Sequence, residues 1–293
     1  MIPRVAVAVV CLLAALLMGC SPAAGPVPAA ASDAPAAATV SASRPDHVVV
    51  VVLENKNEAD VFSEGPYLTS LAASGMSLTD MHAETHPSQP NYLALFSGDT
   101  QGVTDDHCPV TSDAPTLASE LVAAGYSFAG YSEDLPEPGY TGCRAGDYAR
   151  KHAPWTDFST VSPTVNLPLS AMPADYASLP TVSFLIPNLC HDMHDCSVAE
   201  GDGWLRQNLD GYARWARTHN SLLIVTFDES ESSNDRDNHI ATLAVGQRVT
   251  QGTCTRRTDH YGLLRTLEDL YGLSPLGNSA RTTGVAGLWR TDS

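Results

Sequence analysis

The sequence has little positive charge. Its 293 residues include 16 lysine and arginine residues against 33 aspartate and glutamate residues, which gives a formal net charge of −17. Proteins that bind nucleic acid neutralise phosphates with clustered lysine and arginine, so this composition argues against a nucleic-acid partner. The same shortage of basic residues argues against electrostatic docking on anionic lipid.

Long apolar runs are also scarce after the N-terminus. Arg4 precedes an apolar run over residues 5–18, which is too short for a membrane-spanning helix and has the form of a secretory signal peptide. The run ends in Leu17-Met18-Gly19-Cys20, which resembles a bacterial lipobox. We therefore expect residues 1–20 to be a signal peptide whose cleavage leaves Cys20 as a lipid-bearing N-terminus. An ordinary signal peptide that happens to contain Cys20 is the alternative.

The composition also predicts the domain organisation. Residues 21–45 are nearly all alanine, proline and serine and cannot form a core, so we expect a disordered linker. Residues 46–293 are enough for a single catalytic domain of α/β class. In this arrangement the only attachment to a membrane would be the lipid on Cys20, and the protein would be extracytoplasmic.

Cysteine is sparse, with seven residues in the chain. Outside the cytoplasm disulfides are expected, and we predict Cys190–Cys196 as a local bridge and Cys108–Cys143 as a second one. With Cys11 and Cys20 set aside the number is odd, so Cys254 is free or one of these pairings is wrong. Cys190 and Cys196 could instead be thiolate ligands of a metal.

Polar residues follow three strongly apolar segments. Residues 47–53, a histidine followed by five valines and a leucine, predict a strand buried on both faces, and Glu54 and Asn55 come directly after it. Residues 221–227 end likewise in Asp228 and Glu229. The apolar segment 181–186 leads into a loop that holds His191, Asp192, His194 and Asp195 between two cysteines.

The remaining pattern alternates between helix and strand. Helices are predicted over residues 67–74, 115–124, 204–219 and 258–271, and further strands over residues 76–83, 126–131 and 239–245. This alternation predicts three layers, with a largely parallel central sheet and helices on both faces. Residues 132–180 show little regular pattern, and we expect them to shape access to a site.

A serine between two prolines is the candidate nucleophile. Pro90 suits the first turn of a helix over residues 91–96, which places Ser88 just ahead of a helix N-terminus, where an anion is favoured. His86 stands two residues before it. The alternative is an ordinary loop serine, because Pro-Ser-x-Pro is common in loops.

These residues suggest phosphoryl transfer. A serine hydroxyl needs a base or a metal to attack at neutral pH. The carboxyl ends of the strands meet at one edge, so a divalent ion could be held by Glu54, Asn55, Asp228 and Glu229 together with Ser88. All-oxygen ligands suit Ca, Mg or Mn better than Zn, and a second ion is possible.

A histidine would supply the acid or base for this reaction. His260, in the first turn of the last helix, and His191 and His194 are the candidates, with His239 and His86 behind them. A Ser-His-Asp acyl-transfer triad is the rival reading, but the sequence lacks a Gly-x-Ser-x-Gly motif and that reading leaves the paired acids without a role.

Five segments together resemble a known family. They are Leu53-Glu54-Asn55, His86-Pro87-Ser88-Gln89-Pro90-Asn91-Tyr92-Leu93, Phe227-Asp228-Glu229-Ser230, Asn238-His239-Ile240 and His260-Tyr261-Gly262-Leu263-Leu264-Arg265-Thr266. In this order they resemble the phosphoesterase family of bacterial acid phosphatases and phospholipases C. The resemblance implies the alkaline-phosphatase-like α/β fold and a metal at Glu54, Asn55, Asp228 and Glu229. It also implies a Ser88 that becomes transiently phosphorylated.

The resemblance also bears on the remaining polar residues. It implies that His260 and a histidine of the 191–194 loop are catalytic or phosphate-binding, and we expect Asn91, His86 and His239 to contact substrate. The chain is short for the phospholipase branch, which favours a phosphomonoesterase acting on a phosphorylated small molecule or lipid. A phospholipase C or other phosphodiesterase is the alternative, and a non-catalytic extracytoplasmic binding protein is a third. The sequence does not indicate an oligomeric state.

Overall fold

A computed structural model of the chain describes residues 44–290. The expected signal peptide, the lipidated Cys20 and nearly all of the expected linker lie outside the described residues. Among the helices of the described part, none combines the length and the apolar character that crossing a membrane requires.

The elements of the described part are as follows. The strands are β1 His47–Leu53, β2 Met76–Leu78, β3 Met81–His82, β4 Phe128–Ser132, β5 Arg144–Ala145, β6 Tyr148–Ala149, β7 Asn166–Pro168, β8 Val182–Ile186, β9 Ser221–Phe227, β10 Leu243–Gly246, β11 Gly252–Cys254 and β12 Thr258–Asp259. The α-helices are α1 Glu58–Glu64, α2 Pro66–Ser74, α3 Ser88–Ser97, α4 Leu117–Ala123, α5 Val198–Ala216 and α6 His260–Tyr271.

An eight-stranded sheet forms the centre, in the order β11-β2-β10-β9-β1-β8-β4-β7. The five strands from β9 to β7 are parallel, whereas β10 runs antiparallel to both β9 and β2. This confirms the predicted α/β class with a mostly parallel sheet. The antiparallel strand is joined to β9 by a polar loop rather than by a crossover helix, so its direction is reversed.

The central strand β1 positions the site. Its residues from Val48 to Leu53 are all at most 1% exposed, as expected of a strand covered on both faces. Leu53 pairs in register with Phe227 of the parallel strand β9. Glu54 and Asp228 therefore leave adjacent strands at the same level, at the carboxyl edge of the sheet.

The helices form two layers. Helices α1, α2 and α5 pack with one another and against β9 and β10, while α3, α4 and α6 pack together and α4 contacts β4. Side chains from both groups and from the sheet make up one continuous apolar core. The predicted three-layer arrangement is confirmed.

Several predicted element boundaries are wrong. The strand expected over residues 76–83 is two strands, because β2 pairs with β10 whereas β3 leaves the main sheet and pairs with β12. The helix expected over residues 204–219 begins at Val198, where Ser197 and Glu200 form a capping box. The strand expected over residues 239–245 is confined to β10, since only this part pairs with β9.

The segment without a clear pattern, residues 132–180, is held by short elements. It contains the two-stranded ribbon β5–β6, several 3₁₀ turns and β7, which adds the last strand at the edge of the main sheet. The predicted disulfide Cys108–Cys143 ties its start to the loop after α3, and Cys190–Cys196 closes the histidine-rich loop, while Cys254 is free. Disulfides of this kind are typical of proteins that fold outside the cytoplasm.

Candidate active site

Ser88 is the first residue of α3. The prediction placed it just ahead of the helix, but the helix begins one turn earlier because Pro87 takes the N-cap position and Pro90 fits the first turn. The hydroxyl lies 2.9 Å from Glu54 Oε2 and 3.1 Å from Glu229 Oε1. These residues are almost fully buried, so the strand ends and the helix start converge on Ser88.

Asn55 adds its side chain to this convergence. The oxygen position of its amide lies 3.0 Å from Glu54 Oε2, 3.1 and 3.2 Å from the two carboxylate oxygens of Asp228, and 3.2 Å from Ser88 Oγ. Its backbone has a left-handed φ of 44°, and its N–H donates to Asp228 Oδ1 at 3.0 Å. A non-glycine residue in this conformation at a cluster of functional groups is a sign of an imposed geometry.

Oxygens that face oxygens require a positive charge or a donor between them. The Asn55 amide can meet this need by turning over, so that its nitrogen donates to the same oxygens. A cation at this point would meet it with the amide oxygen in place. Carboxylate, amide and hydroxyl oxygens are hard donors that suit Ca, Mg or Mn, so the predicted set of Glu54, Asn55, Asp228, Glu229 and Ser88 has the chemistry that fits a divalent metal ion.

The raised pKa values of the carboxyl groups are also consistent with a site for a cation. Burial, and then the charges of Asp228 and Asp192, raise the pKa of Glu54 well above its usual range. Burial and the charge of Glu229 do the same to Asp228, and burial raises the pKa of Glu229 to about 7. The protein alone thus does not compensate these charges, as a bound cation would.

A second group of potential metal ligands, which includes Cys190 and Cys196, is ruled out by a disulfide. Among the described residues, the one group of three His, Cys, Asp or Glu side chains whose ligand atoms all lie within 4.8 Å is Cys190, Cys196 and Glu200. Two of its members form a disulfide, so they are not thiolate ligands. Glu54 and Glu229 are not in that group, but both of their carboxylates contact the Ser88 hydroxyl.

The start of α3 is already approached by a carboxylate. The backbone N–H of Gln89 donates to Asp106 Oδ1 at 3.0 Å, and Lys151 Nζ pairs with Asp106 Oδ2 at 2.7 Å. Burial opposes the charge of Lys151, but Glu54 and Asp106 together raise its pKa. Lys151 is therefore a cationic group at the rim of the site, one that the sequence did not suggest.

His86 lies at the site, whereas Asn91 supports the loop. His86 Nδ1 contacts Glu229 Oε2, on the far side of the carboxylate from Ser88, and its Nε2 faces the carbonyl of Asp235. The Asn91 side chain accepts from the backbone N–H groups of Glu84 and Thr85 and donates to the carbonyls of Thr85 and Pro87. Asn91 thus fixes the turn that carries Ser88, and its polar atoms are occupied by the backbone.

The other predicted histidines lie around the cluster rather than in it. His260 is fully buried and its Nε2 donates to the backbone carbonyl of Asp228 at 2.7 Å, and burial lowers its pKa. His191 pairs with Glu133 at 2.9 Å, and His194 pairs with Asp195 at 2.6 Å. His239 faces the carbonyl of Thr79 and stacks on His82. Their predicted roles stay predictions.

Two residues that the sequence did not single out complete the cluster. Tyr92, one turn after Ser88, donates from its hydroxyl to Glu54 Oε1 at 2.5 Å. His152 stacks on Tyr92, with its Nε2 3.1 Å from Glu54 Oε1 and its Nδ1 3.3 Å from Asp192 Oδ2. The Nε2 contact is not aligned as a hydrogen bond. Burial, and then the charge of Lys151, lower the pKa of His152, which favours the neutral ring.

A cavity of about 320 Å³ adjoins the rim. It is lined by Asp106, Lys151, Arg144 and the Cys108–Cys143 disulfide. Asp106 in this lining accepts a hydrogen bond from the backbone N–H of Gln89, the residue next to Ser88, so the cavity lies near Ser88 and brings cationic side chains close to it.

Known proteins resemble this chain over most of its length. A model of the Phosphoesterase family matches residues 63–274. A phosphatidylinositol-3-phosphatase from Mycobacterium tuberculosis is 49% identical over 248 residues, which cover 83% of this chain and 82% of the relative. A phosphate-repressible acid phosphatase from Penicillium chrysogenum is 31% identical over 79% of this chain but only 60% of its own length.

A comparison of folds agrees. A solved structure of an alkaline phosphatase superfamily protein from Vibrio parahaemolyticus superposes with a TM-score of 0.56, at 14% identity, over 82% of this chain and 71% of that chain. A phosphonate monoester hydrolase from Silicibacter pomeroyi superposes with a TM-score of 0.54, at 12% identity, over 85% and 78%. At these identities the likeness concerns the fold alone, and it confirms the alkaline-phosphatase-like architecture.

Proposed function

The chain belongs to the Phosphoesterase family and is a hydrolase acting on phosphate esters, and from this premise we propose that it is a metal-dependent phosphomonoesterase with a phosphoserine intermediate at Ser88. We further propose that it is exported and anchored through lipid on Cys20. The observation that supports this reaction is the position of Ser88 at the start of a helix. Its Oγ lies 2.9 to 3.2 Å from the side-chain oxygens of Glu54, Glu229 and Asn55.

The chemistry proceeds in two displacements. Ser88 Oγ attacks phosphorus, the bond to the leaving alcohol oxygen breaks, and phosphoserine forms. Water then attacks the phosphoserine, which releases inorganic phosphate and returns the oxygen to Ser88. When bound by Glu54, Asn55, Asp228, Glu229 and Ser88, a divalent ion would neutralise phosphoryl oxygens and favour the serine alkoxide.

Glu229 can also carry a proton. One of its oxygens lies 3.1 Å from Ser88 Oγ and the other contacts His86 Nδ1, so a proton from Ser88 has a path to the histidine. The leaving alcohol needs a proton in return.

The relatives and the charged residues near the site support a proposal for the substrate class. The relatives named above are phosphatases, which favours a monoester over the phospholipase C alternative. The relative that acts on a phosphatidylinositol phosphate supports a phosphorylated lipid or its headgroup as substrate. Lys151 and Arg144 in the adjoining cavity would favour leaving groups that carry negative charge.

Steady-state assays of the metal-replete protein test the reaction. We expect hydrolysis of p-nitrophenyl phosphate to exceed that of p-nitrophenylphosphorylcholine, and chelation to abolish it. Ser88→Ala should remove turnover, and the wild-type protein quenched in acid should carry phosphate on Ser88 by mass spectrometry. Ser97→Ala, at the other end of α3, is the matched control, because the Ser97 hydroxyl bonds only to backbone carbonyls of Leu93 and Asp99 and to the Gln101 amide. Substantial activity in Ser88→Ala would refute the mechanism.

Fractionation of expressing cells tests the anchor separately. Cys20→Ala should move the enzyme from the membrane fraction to the soluble fraction without changing its specific activity. Equal membrane association of the two proteins would contradict lipidation at Cys20 while leaving the catalytic proposal untouched.

A further inference from the structure

A cavity of about 480 Å³ lies between α2 and α5, and its lining residues are separate from the Ser88 cluster. Residues 206, 210, 213 and 214 of α5 and its C-cap residue Arg217 follow the spacing of one helix face, and residues of α2 form the opposite wall. Its volume falls within the range of about 300–1,000 Å³ that is usual for small-molecule sites.

Positive charge is concentrated here in an otherwise acidic protein. Three of the chain's 16 lysine and arginine residues, Arg206, Arg214 and Arg217, line this one cavity. The net charge of −17 makes such a grouping a local exception. A cluster of guanidinium groups is the usual protein arrangement for binding carboxylate or phosphate.

The acidic residues of the lining are already occupied. Asp202 accepts from the backbone N–H groups of Tyr67 and Leu68, at 3.0 and 2.8 Å, and so caps α2. Asp210 pairs with Arg214 at 2.8 Å. These carboxylates therefore leave the other two guanidinium groups available.

Several donors at the cavity have no acceptor. Tyr67 is 8% exposed, and its hydroxyl and the Nε of Arg217 are buried without a hydrogen-bond partner. Arg217 donates through Nη2 to Ser74 Oγ, which fixes the guanidinium. Within residues 44–290, the exposed Arg206 has no ion pair. Burial, and then the charge of Asp210, raise the pKa of Tyr67, so its hydroxyl stays a donor.

A ligand that matches this lining must supply acceptors and negative charge. A cation would meet two free guanidinium groups, and an apolar ligand would leave buried donors unsatisfied. We propose that this cavity is a second ligand site that binds a phosphate-type oxyanion, with Arg206, Arg217 and the Tyr67 hydroxyl as its donors. The site does not depend on the reaction proposed for Ser88.

Calorimetric titration of the wild-type protein with inorganic phosphate tests the site. Arg206→Gln removes the guanidinium charge and its paired donors, Tyr67→Phe removes one donor, and Arg281→Gln serves as control because Arg281 is exposed and does not line the cavity. A lost hydrogen bond to a charged group corresponds to about tenfold weaker binding. We expect one class of phosphate sites to weaken by about this factor in both variants and to be unchanged in Arg281→Gln.

Activity toward p-nitrophenyl phosphate separates this site from the catalytic one. Arg206→Gln should keep the wild-type kcat, because Arg206 lies outside the Ser88 cluster. Weaker phosphate binding in this variant is then due to the cavity between α2 and α5. Tyr67→Phe leaves the net charge unchanged, so weaker phosphate binding in this variant reports the lost hydroxyl donor and not a general effect of charge. Phosphate affinity and stoichiometry that are identical in the wild-type protein, Arg206→Gln and Tyr67→Phe would overturn the proposal.

Discussion

The hydroxyl of Tyr92 donates to Glu54 Oε1 at 2.5 Å, while Ser88, one helical turn earlier, contacts Oε2 of the same carboxylate at 2.9 Å. Helix α3 therefore holds both oxygens of Glu54 with one of its faces. Since Glu54 leaves the central strand β1, this contact fixes the start of α3 against the centre of the sheet. A partner of this kind sets the orientation of a ligating carboxylate.

Removing the Tyr92 hydroxyl should weaken the site without unfolding the protein. Tyr92→Phe keeps the buried ring and its stacking on His152 but leaves Glu54 Oε1 without its donor. Loss of such a supporting contact typically costs about 10- to 100-fold in metal affinity or activity. Titration of the apoprotein with Mn or Ca, followed by kcat/KM, measures the effect.

Tyr212→Phe is the matched control for that substitution. Tyr212 is equally buried, but its hydroxyl donates to carbonyls of His47 and Leu222, at the opposite end of β1 and β9. It should lower stability by about 1 kcal/mol and leave metal affinity unchanged. Equal metal affinity in Tyr92→Phe and the wild-type protein would show that the Glu54 contact does not support the site.

His152 gives a second prediction. It lies within 3.1 and 3.3 Å of two buried carboxylates, so replacing it with Gln should disturb Glu54 and lower kcat/KM by about 10- to 100-fold. His47→Gln is the control, because His47 is half-buried at the amino end of β1 and contacts the Pro180 carbonyl. If both variants keep the wild-type kcat/KM, His152 has no part in the reaction.

The contrast between Glu54 and His152 shows how far the sequence predicts the site. Glu54, Asn55, Asp228 and Glu229 follow strongly apolar strands, and the register of parallel strands brings such residues together. His152 lies in a 3₁₀ turn of the irregular segment, and it reaches the site through stacking on Tyr92 and the bridge at Cys143. No local periodicity encodes that placement. The cavity between α2 and α5 likewise depends on the packing of two helices distant in sequence.

The two disulfides should differ in their contribution to stability. Cys108–Cys143 spans 35 residues and Cys190–Cys196 spans 6, and a longer loop loses more chain entropy in the unfolded state when it is closed. On that basis we expect the double serine variants to lose about 4 and about 2 kcal/mol respectively. Urea unfolding of each variant measures this, and a larger loss for Cys190 and Cys196 would contradict the entropic account.

Glu84 should make stability fall as the pH rises. Burial, and then the charge of Asp259, raise its pKa from 4.5 to about 8 in the folded protein. Between these values the folded state keeps a proton that the unfolded state has released, so each step up in pH favours unfolding. The penalty is absent below about pH 4.5 and complete above about pH 8.

Glu84→Gln removes that penalty, because a neutral amide needs no proton at any of these pH values. We expect the wild-type protein and the variant to have nearly the same free energy of unfolding near pH 4.5, and the variant to be more stable near pH 8 by a few kcal/mol. Glu137→Gln, at an exposed position, should show the same small difference at both pH values. Chemical unfolding at the two pH values measures this difference in free energy of unfolding. A difference that does not grow between pH 4.5 and pH 8 would show that Glu84 is not the group that keeps a proton in the folded protein.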